Sequence, residues 1–230
     1  MKFAIALILV VGSISTVCFA AEGRRRPSDT DVRDLFAACL ATRQAKASSF
    51  FLAHSDMGSL DVDAYGGPNV ELGRKLGIEQ CLTWVGDKTR TQVSIKTGRS
   101  ALRAIAIEGT YRLRFPQSPI WLEDPAPSKP RTFVSTGEKL TIAQANGIIA
   151  DCLFAADPKG IDALIRLSSE SVEEQALVST LLPKLEKCKS EHAVPAGKEM
   201  SLREFAAEGL WQAAISTAAS AEATATNGSH

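Results

Sequence analysis

The sequence predicts a mainly α-helical protein made of two homologous small domains, with about four helices in each and a proline-rich linker between them. Two observations predict this fold. The chain contains an internal repeat with a pair of cysteines in each copy. Within each copy, the apolar residues recur at the spacing of amphipathic helices. A unit that was copied whole forms one domain, so we expect domain 1 at residues 31–114, the linker at 115–140 and domain 2 at 141–214.

Both copies share three landmarks in the same order. These are a Cys-Leu pair on a predicted helix, a second cysteine, and a closing Leu-Arg whose arginine is followed five residues later by Glu-Gly. The cysteines are Cys39 and Cys81 in the first copy and Cys152 and Cys188 in the second. The closing polar residues are Arg103 and Glu108, and Arg203 and Glu208.

The helices are predicted in matching order. In the first copy they cover about residues 31–43 and 45–53, a segment from Gly67-Pro68 towards Cys81, and a last helix from Thr97 or Ser100 to about residue 113. In the second copy they cover about residues 142–154, 158–167, 171–188 and 201–213. Pro158 suits a first helical turn, Ser171-x-x-Glu174 predicts a capping box, and Pro183 is expected to kink or break the third helix.

The amino terminus has the layout of a secretory signal peptide, which we predict at residues 1–20. Lys2 precedes an apolar run, and small residues lead to Ala20. An uncleaved anchor is the alternative, but polar residues interrupt the run before the roughly 20 apolar residues that a spanning helix needs. Lipidation at Cys18 is a second alternative, although the preceding residues match such a site poorly. We therefore predict a periplasmic or secreted protein that begins at Ala21, without stable membrane insertion.

Three segments are predicted to lie outside the domains. Residues 21–30 form a flexible amino terminus that includes three consecutive arginines. The linker is rich in proline, which resists helix formation and favours an extended connector, and Trp121 is expected to pack back on a domain. Residues 215–230 consist almost entirely of small side chains, which bury too little surface to offset the entropy of ordering, so we predict a disordered tail.

Four cysteines remain after removal of the signal peptide, and an even number in an exported chain predicts disulfide bonds. Four cysteines allow three pairings, which the sequence alone does not distinguish. The duplication favours Cys39 with Cys81 and Cys152 with Cys188, because a copied unit should carry its own bridge. No two cysteines are spaced as Cys-x-x-Cys, which disfavours a redox-active or zinc-binding role.

No catalytic, cofactor or metal site is predicted. His54 and His192 do not recur in the other copy and are expected on the surface. The triplet Lys96-Thr97-Gly98 lacks the companion motifs of penicillin-binding enzymes, and a calcium-loop opening at Asp61 lacks the required Glu at its twelfth position. Basic and acidic residues number 26 each, which gives no electrostatic reason to expect nucleic acid as a partner.

The repeated polar residues Arg103, Glu108, Arg203 and Glu208 are the remaining candidates for a site. We interpret them as structural, because ion pairs that fix helix docking are commoner than catalytic sites. The alternative is that they line a ligand groove. Tyr111 and Trp211, at matching positions on the same helices, are expected to serve as large anchors that seal the core.

The Cys-Leu helix, the second cysteine and the Leu-Arg helix resemble small exported proteins of alphaproteobacteria, uncharacterised in function, that carry this unit once or in tandem. The resemblance covers both copies and implies no activity or cofactor. It departs at Glu108-Gly109 and Glu208-Gly209, where those proteins more often continue the helix with Ala. We therefore expect the last helix of each copy to end earlier here than in those proteins.

The sequence thus predicts a non-enzymatic binding or interaction protein of the cell envelope. Its partner is unknown, with an envelope protein as the candidate, and the groove between the domains is the candidate surface. The alternative is a hydrolase-type enzyme with an inter-domain Arg/Glu site. Convergence of the polar residues on one open cleft favours the enzyme, and burial against neighbouring helices favours the binding protein.

Overall fold

The computed structural model describes residues 28–67, 71–125, 127–192 and 200–227. Within these residues the chain forms nine α-helices, one short 3-10 helix and no β-strand. The prediction of a mainly α-helical fold is confirmed. The predicted signal peptide, most of the predicted flexible amino terminus and the last three residues of the predicted tail lie outside the described residues.

The first repeat contributes five helices. Ser28 begins the first with a capping box, in which its Oγ accepts from the backbone N–H of Asp31 at 3.1 Å and the Asp31 carboxylate accepts from the backbone N–H of Ser28 at 2.9 Å. The predicted third helix is divided in two, because Gly77 has a left-handed backbone with φ of 64°. The helices are α1 (Asp29–Thr42), α2 (Ala45–Ala53), α3 (Leu72–Lys75), α4 (Ile78–Thr89) and α5 (Arg99–Arg114).

The second repeat contributes four helices. Pro158 occupies the first turn of the second of them, as predicted. Ser171 Oγ accepts from the backbone N–H of Glu174, but the Glu174 carboxylate accepts from the backbone N–H of Glu170, so the predicted capping box is only half formed. The third helix does not break at Pro183 and continues for two more turns. The helices are α6 (Gly137–Ala156), α7 (Pro158–Arg166), α8 (Val172–Glu191) and α9 (Leu202–Asn227).

Residues 215–227, where the sequence predicts a disordered tail, continue α9 instead. Ser216 is 2% exposed, and its Oγ accepts a hydrogen bond from the backbone N–H of Lys129 at 3.0 Å. Alanine is the strongest helix former, so an alanine-rich segment extends a helix whose beginning is held by packing.

Each repeat is joined internally by one disulfide, and the predicted pairing is confirmed. Cys39–Cys81 links α1 to α4, and Cys152–Cys188 links α6 to α8. Loops of this size contribute about 4 kcal/mol each in the chain-entropy model.

The two repeats pack together through α5 and α9 and share one continuous hydrophobic core. Fully buried large side chains come from both halves, namely Phe36, Phe51, Tyr111, Ile149, Ile161 and Leu181. Each repeat therefore has its own disulfide, but the two repeats share one hydrophobic core.

The Glu-Gly pair of each repeat lies where two helices cross closely. A Cβ on Gly109 would lie 2.2 Å from the Ala37 carbonyl oxygen, and a Cβ on Gly209 would lie 2.4 Å from the Ala150 carbonyl oxygen. Both helices continue through these glycines, and α5 ends at Arg114, close to the predicted end at about residue 113, whereas α9 runs past the predicted end at about residue 213. Glycine is needed for the close approach of the backbones, not for helix termination.

The linker is tied to both repeats. The Asp56 carboxylate accepts from the backbone N–H groups of Val134 and Ser135 at 2.9 and 2.8 Å. Trp121 packs against Phe115 at the end of α5 and against Phe154 of the second repeat, with ring centroids 6.0 and 6.3 Å away. The linker therefore contacts both repeats, and the hydrogen bond from Lys129 to Ser216 holds it beside α9.

Candidate functional site

The repeated arginines and glutamates meet where α5 and α9 pack, and each arginine pairs with the glutamate of the other repeat. Arg103 Nε donates to Glu208 Oε1 at 2.6 Å, and Arg203 Nε donates to Glu108 Oε1 at 3.1 Å. Because residue 103 faces 208 and residue 108 faces 203, the two helices run antiparallel. The arrangement is the internal counterpart of a two-fold dimer interface, in which residue i contacts j and residue j contacts i.

Glu108 is surrounded by three arginines, and its side chain has no exposed surface. We call Glu108 together with Arg33, Arg112 and Arg203 the Glu108 cluster. Arg33 of α1 donates from Nη1 and Nη2 to the two carboxylate oxygens at 2.8 and 2.7 Å. Arg112 and Arg203 each donate from Nη2 to Glu108 Oε2 at 3.1 Å. The fork of a guanidinium matches a carboxylate in two parallel hydrogen bonds, so this geometry gives strong, orientation-specific contacts.

The charge of Glu108 is stabilised despite its burial. Desolvation alone would raise its pKa, but the hydrogen bonds and positive charges of Arg33 and Arg203 outweigh that effect and hold the pKa of this carboxyl below its usual value. Glu108 is therefore ionised at neutral pH.

Two more carboxylates balance the Glu108 cluster. Glu174 Oε1 accepts from Arg203 Nη1 at 2.5 Å, and Asp34 Oδ1 accepts from Arg112 Nη1 at 3.0 Å. With Glu108 they supply three negative charges for three arginines. Desolvation lowers the pKa of Arg203, but the two glutamates beside it outweigh this and raise the pKa above its usual value.

The Glu208 side of the interface is built differently. Arg103 also donates from Nη1 to the Leu52 carbonyl oxygen at 2.8 Å and to Ser55 Oγ at 2.9 Å. Arg131 of the linker lies 3.8 Å from Glu208 Oε2 and donates to the Asp151 carboxylate at 2.6 Å. The linker therefore supplies the second cation here, whereas α1 and α5 supply the additional cations around Glu108.

A cleft of about 550 Å³ opens onto the Glu108 cluster, and we call it the first cleft. Arg33 Nη1 donates to Ser169 Oγ at 2.9 Å across its floor, which joins the two repeats. Both repeats line it, with Val32, Arg33, Ile95 and Lys96 from the first and Ser169, Glu174 and Arg203 from the second.

A second cleft of about 380 Å³ opens onto the Glu208 side, and we call it the second cleft. The linker forms one of its walls. Its lining includes Asp56, Arg103, Arg131, Phe133, Glu208 and Trp211. Of the polar residues repeated in the sequence, Arg203 thus lines the first cleft and Arg103 and Glu208 line the second, so they do not converge on one cleft.

The arrangement favours charge recognition over proton transfer. A general acid or base works best with a pKa near the operating pH, whereas the pKa of Glu108 is lowered. His54 and His192, the histidines within the described residues, line neither the first nor the second cleft. The hydroxyl of Ser169 therefore has no histidine base beside it in the first cleft.

The matched aromatic residues differ in their roles. Tyr111 is fully buried, and its hydroxyl donates to Asp162 Oδ1 on α7 at 2.6 Å, which ties α5 to the second repeat. Burial and the contact with Asp162 raise the pKa of Tyr111. Trp211 is only half-buried; it packs against the hydrophobic core and also lines the second cleft.

Several residues of the site were not predicted from the sequence, because they do not recur in both copies and recurrence was the signal that identified the others. Arg33, Arg112 and Arg131 have no basic counterpart in the other repeat. One weak sequence signal could have indicated Arg33: it is a cation beside the apolar face of α1, one turn before Phe36.

No protein-family model, curated protein or solved structure matches the chain. The resemblance to exported alphaproteobacterial proteins stays a prediction. The two disulfides indicate an oxidising environment outside the cytosol. Of the helices within the described residues, none combines the length and the apolar character that crossing a bilayer requires.

Proposed function

We propose that this chain is a non-enzymatic binding protein of the cell envelope and that it holds a segment of a partner protein in the first cleft. The observation that carries the proposal is the composition of that cleft. It is lined by both repeats, and it combines paired cations and carboxylates with the apolar side chains Val32 and Ile95.

A peptide segment fits this cleft better than a nucleic acid or a lipid headgroup. Arg33, Arg203 and Lys96 present positive charge, and Glu174 and Glu204 present negative charge beside it. A polyanion would meet these carboxylates, whereas a peptide carries both charges and apolar side chains. The volume of about 550 Å³ lies within the usual range for a ligand pocket.

The contacts argue against the alternative of a hydrolase with an Arg/Glu site. Glu108 and Glu208 are 0% and 2% exposed, and arginines hold both of them. Releasing either carboxylate to act on a substrate would leave buried guanidinium groups without their counter-ion, which is strongly unfavourable. Glu208 lines the second cleft, and Glu108 holds Arg33 and Arg203, which line the first cleft, in place.

Photo-crosslinking tests the proposal. A benzophenone amino acid at position 96, on the exposed rim of the first cleft, should give one discrete protein adduct in cells that export the chain. The matched control is position 46, also an exposed lysine, which lines neither cleft. The adduct from position 96 should disappear when an excess of the same protein without the benzophenone amino acid competes for the partner. Equal adducts from both positions, or none from position 96, would contradict the proposal.

An activity screen separates binding from catalysis. Purified protein is assayed with ester, phosphate-ester and peptide substrates beside the variant Ser169→Ala, which removes the hydroxyl nearest Arg33 in the first cleft. The binding role predicts no turnover that the variant loses. Hydrolysis present in the wild type and lost in Ser169→Ala would favour the enzyme instead.

The proposed location rests on the sequence of residues 1–20 together with the two disulfides. We infer that the signal peptide is cleaved and that the mature protein is periplasmic or secreted. Mass spectrometry of the exported protein should give an amino terminus at Ala21. Recovery of the chain in washed membranes with Met1 intact would contradict this location.

A further inference from the structure

The second disulfide lies beside two further side chains that bind metals. The donor atoms of Cys152, Glu191 and His192 all lie within 4.8 Å of one another. Cys152 Sγ is bonded to Cys188 Sγ, one helical turn before His192. Within the described part of the chain, this is the one group of three or more His, Cys, Asp or Glu side chains with donor atoms this close.

The first repeat lacks this arrangement at the equivalent place. When Cys81 is aligned with Cys188, the residues three and four positions later are Trp84 and Val85 in the first repeat, against Glu191 and His192 in the second. Val85 is fully buried in the core. Both repeats conserve the bridge, but only the second places an imidazole and a carboxylate next to it.

The two bridges also differ in access to reagents. Cys39 and Cys81 are both fully buried, whereas Cys152 is partly exposed and its partner Cys188 is 2% exposed. Thiol–disulfide exchange requires the attacking thiolate to reach a sulfur atom, so exposed bridges react first. A dithiol reductant should therefore react with Cys152 faster than with either sulfur of the first bridge.

We propose that reduction of the Cys152–Cys188 bridge creates a zinc site formed by these two thiolates, His192 and Glu191. A thiolate of the reductant attacks Cys152 Sγ, the S–S bond breaks and Cys188 leaves as a thiolate. The second thiol of the reductant then displaces Cys152 and forms the reductant's own disulfide. The two cysteine thiolates take up the protons that the reductant's thiols lost, and binding of Zn²⁺ to both sulfurs releases these protons and leaves two zinc–thiolate bonds.

The local geometry suits a four-coordinate ion. Zinc takes Cys, His and carboxylate ligands at about 2.0–2.3 Å in a tetrahedron, so its donor atoms lie roughly 3.3–3.8 Å apart. Cys152 on α6 and Glu191 and His192 at the end of α8 already have donor atoms within 4.8 Å of one another, and reduction frees Cys188 to move into the fourth position. Glu191 lies 3.8 Å from Lys187 in an exposed ion pair, which is worth at most about 1 kcal/mol and yields readily to a metal.

This inference is independent of the partner bound in the first cleft, and the full chain tests it. Mild phosphine reduction followed by alkylation and mass spectrometry should modify Cys152 and Cys188 and leave the Cys39–Cys81 bridge intact. Titration with Co²⁺ should then give thiolate charge-transfer absorption and tetrahedral d–d bands at one ion per chain. A chromophoric chelator measures the affinity for Zn²⁺, and circular dichroism reports whether the helices persist.

The test variant is His192→Val, which installs the residue of the first repeat, and the matched control is His54→Val. His192→Val should weaken Zn²⁺ binding at least about tenfold, because mutations of residues in and around a metal site commonly lower metal affinity by that factor. His54→Val should leave Zn²⁺ binding unchanged. Equal Zn²⁺ affinity in His192→Val and the wild type would overturn the proposal. Reduction of both bridges at the same rate, or equal metal binding by the oxidised protein, would also overturn it.

Discussion

The exchange of partners between the repeats makes a quantitative prediction about stability. In Glu108→Gln the side chain keeps its shape but loses its charge, and three guanidinium groups lose their shared counter-ion. Removing one partner of a buried ion pair costs about 3–5 kcal/mol. Arg33 and Arg112 keep 23% and 25% of their side-chain surface exposed, so water offsets part of the loss. We expect a loss of about 3 kcal/mol, at the lower end of that range.

The assay is urea unfolding followed by circular dichroism with the disulfides intact. Urea is chosen because a guanidinium salt would screen the charges under test. For a chain of this size, about 3 kcal/mol corresponds to a fall in melting temperature of roughly 6–12 °C. The matched control is Glu186→Gln, whose exposed carboxylate lies 3.2 Å from Lys189 and should contribute under about 1 kcal/mol.

Double-mutant cycles test the partner exchange itself. Arg203→Met combined with Glu108→Gln should show a coupling energy of about 1–3 kcal/mol, because the two side chains are in direct contact. Arg103→Met combined with Glu108→Gln, the pair within one repeat, should be additive to within about 0.5 kcal/mol. A loss below about 1 kcal/mol in Glu108→Gln, or equal coupling in the two cycles, would refute the reasoning.

Three more predictions concern pH, helix crossing and the linker. Because the pKa of Glu108 is lowered, its stabilisation is complete above its usual pKa of 4.5 and is lost as the pH falls below it, so Glu108→Gln should flatten the acid limb of the stability curve. Gly109→Ala should lose about 1–3 kcal/mol in thermal unfolding, whereas Gly73→Ala, with its nearest neighbour 3.8 Å away, should not destabilise. Asp56→Ala should leave buried linker N–H groups unpaired, lose about 2 kcal/mol and speed limited proteolysis between residues 127 and 136; an unchanged cleavage rate would contradict this.

The helices and the disulfides could be predicted from the sequence because they depend on local pattern and on duplication. Apolar spacing located most of the helices, and Ser28 and Pro158 act at the helix ends where their chemistry suits them. The residues of the site were predicted only in part. Arg103 and Glu108 were found because they recur in the second copy, whereas Arg33 was missed because it does not.

Two features of the fold depend on packing that the local sequence does not reveal. Gly109 gives no sign in the sequence of its role, which is to permit α5 to approach the backbone of Ala37, 72 residues away in the chain. Residues 215–227 were expected to be disordered because they lack bulky side chains, yet they extend a helix whose preceding turns are buried. In both places the packing of a distant segment decides the outcome.

The sequence by itself determined the repeat and the helical class and favoured one pairing of the cysteines, because periodicity and duplication act within one unit. Only the tertiary structure decided that each repeated arginine pairs with the glutamate of the other repeat. Two copies that carry the same Arg and Glu offer the same partners within a unit and across units, so the sequence does not distinguish the two pairings. The antiparallel packing of α5 on α9 brings the cross-repeat pairs into contact, and burial makes that pairing obligatory, since an unpaired charge there is strongly unfavourable.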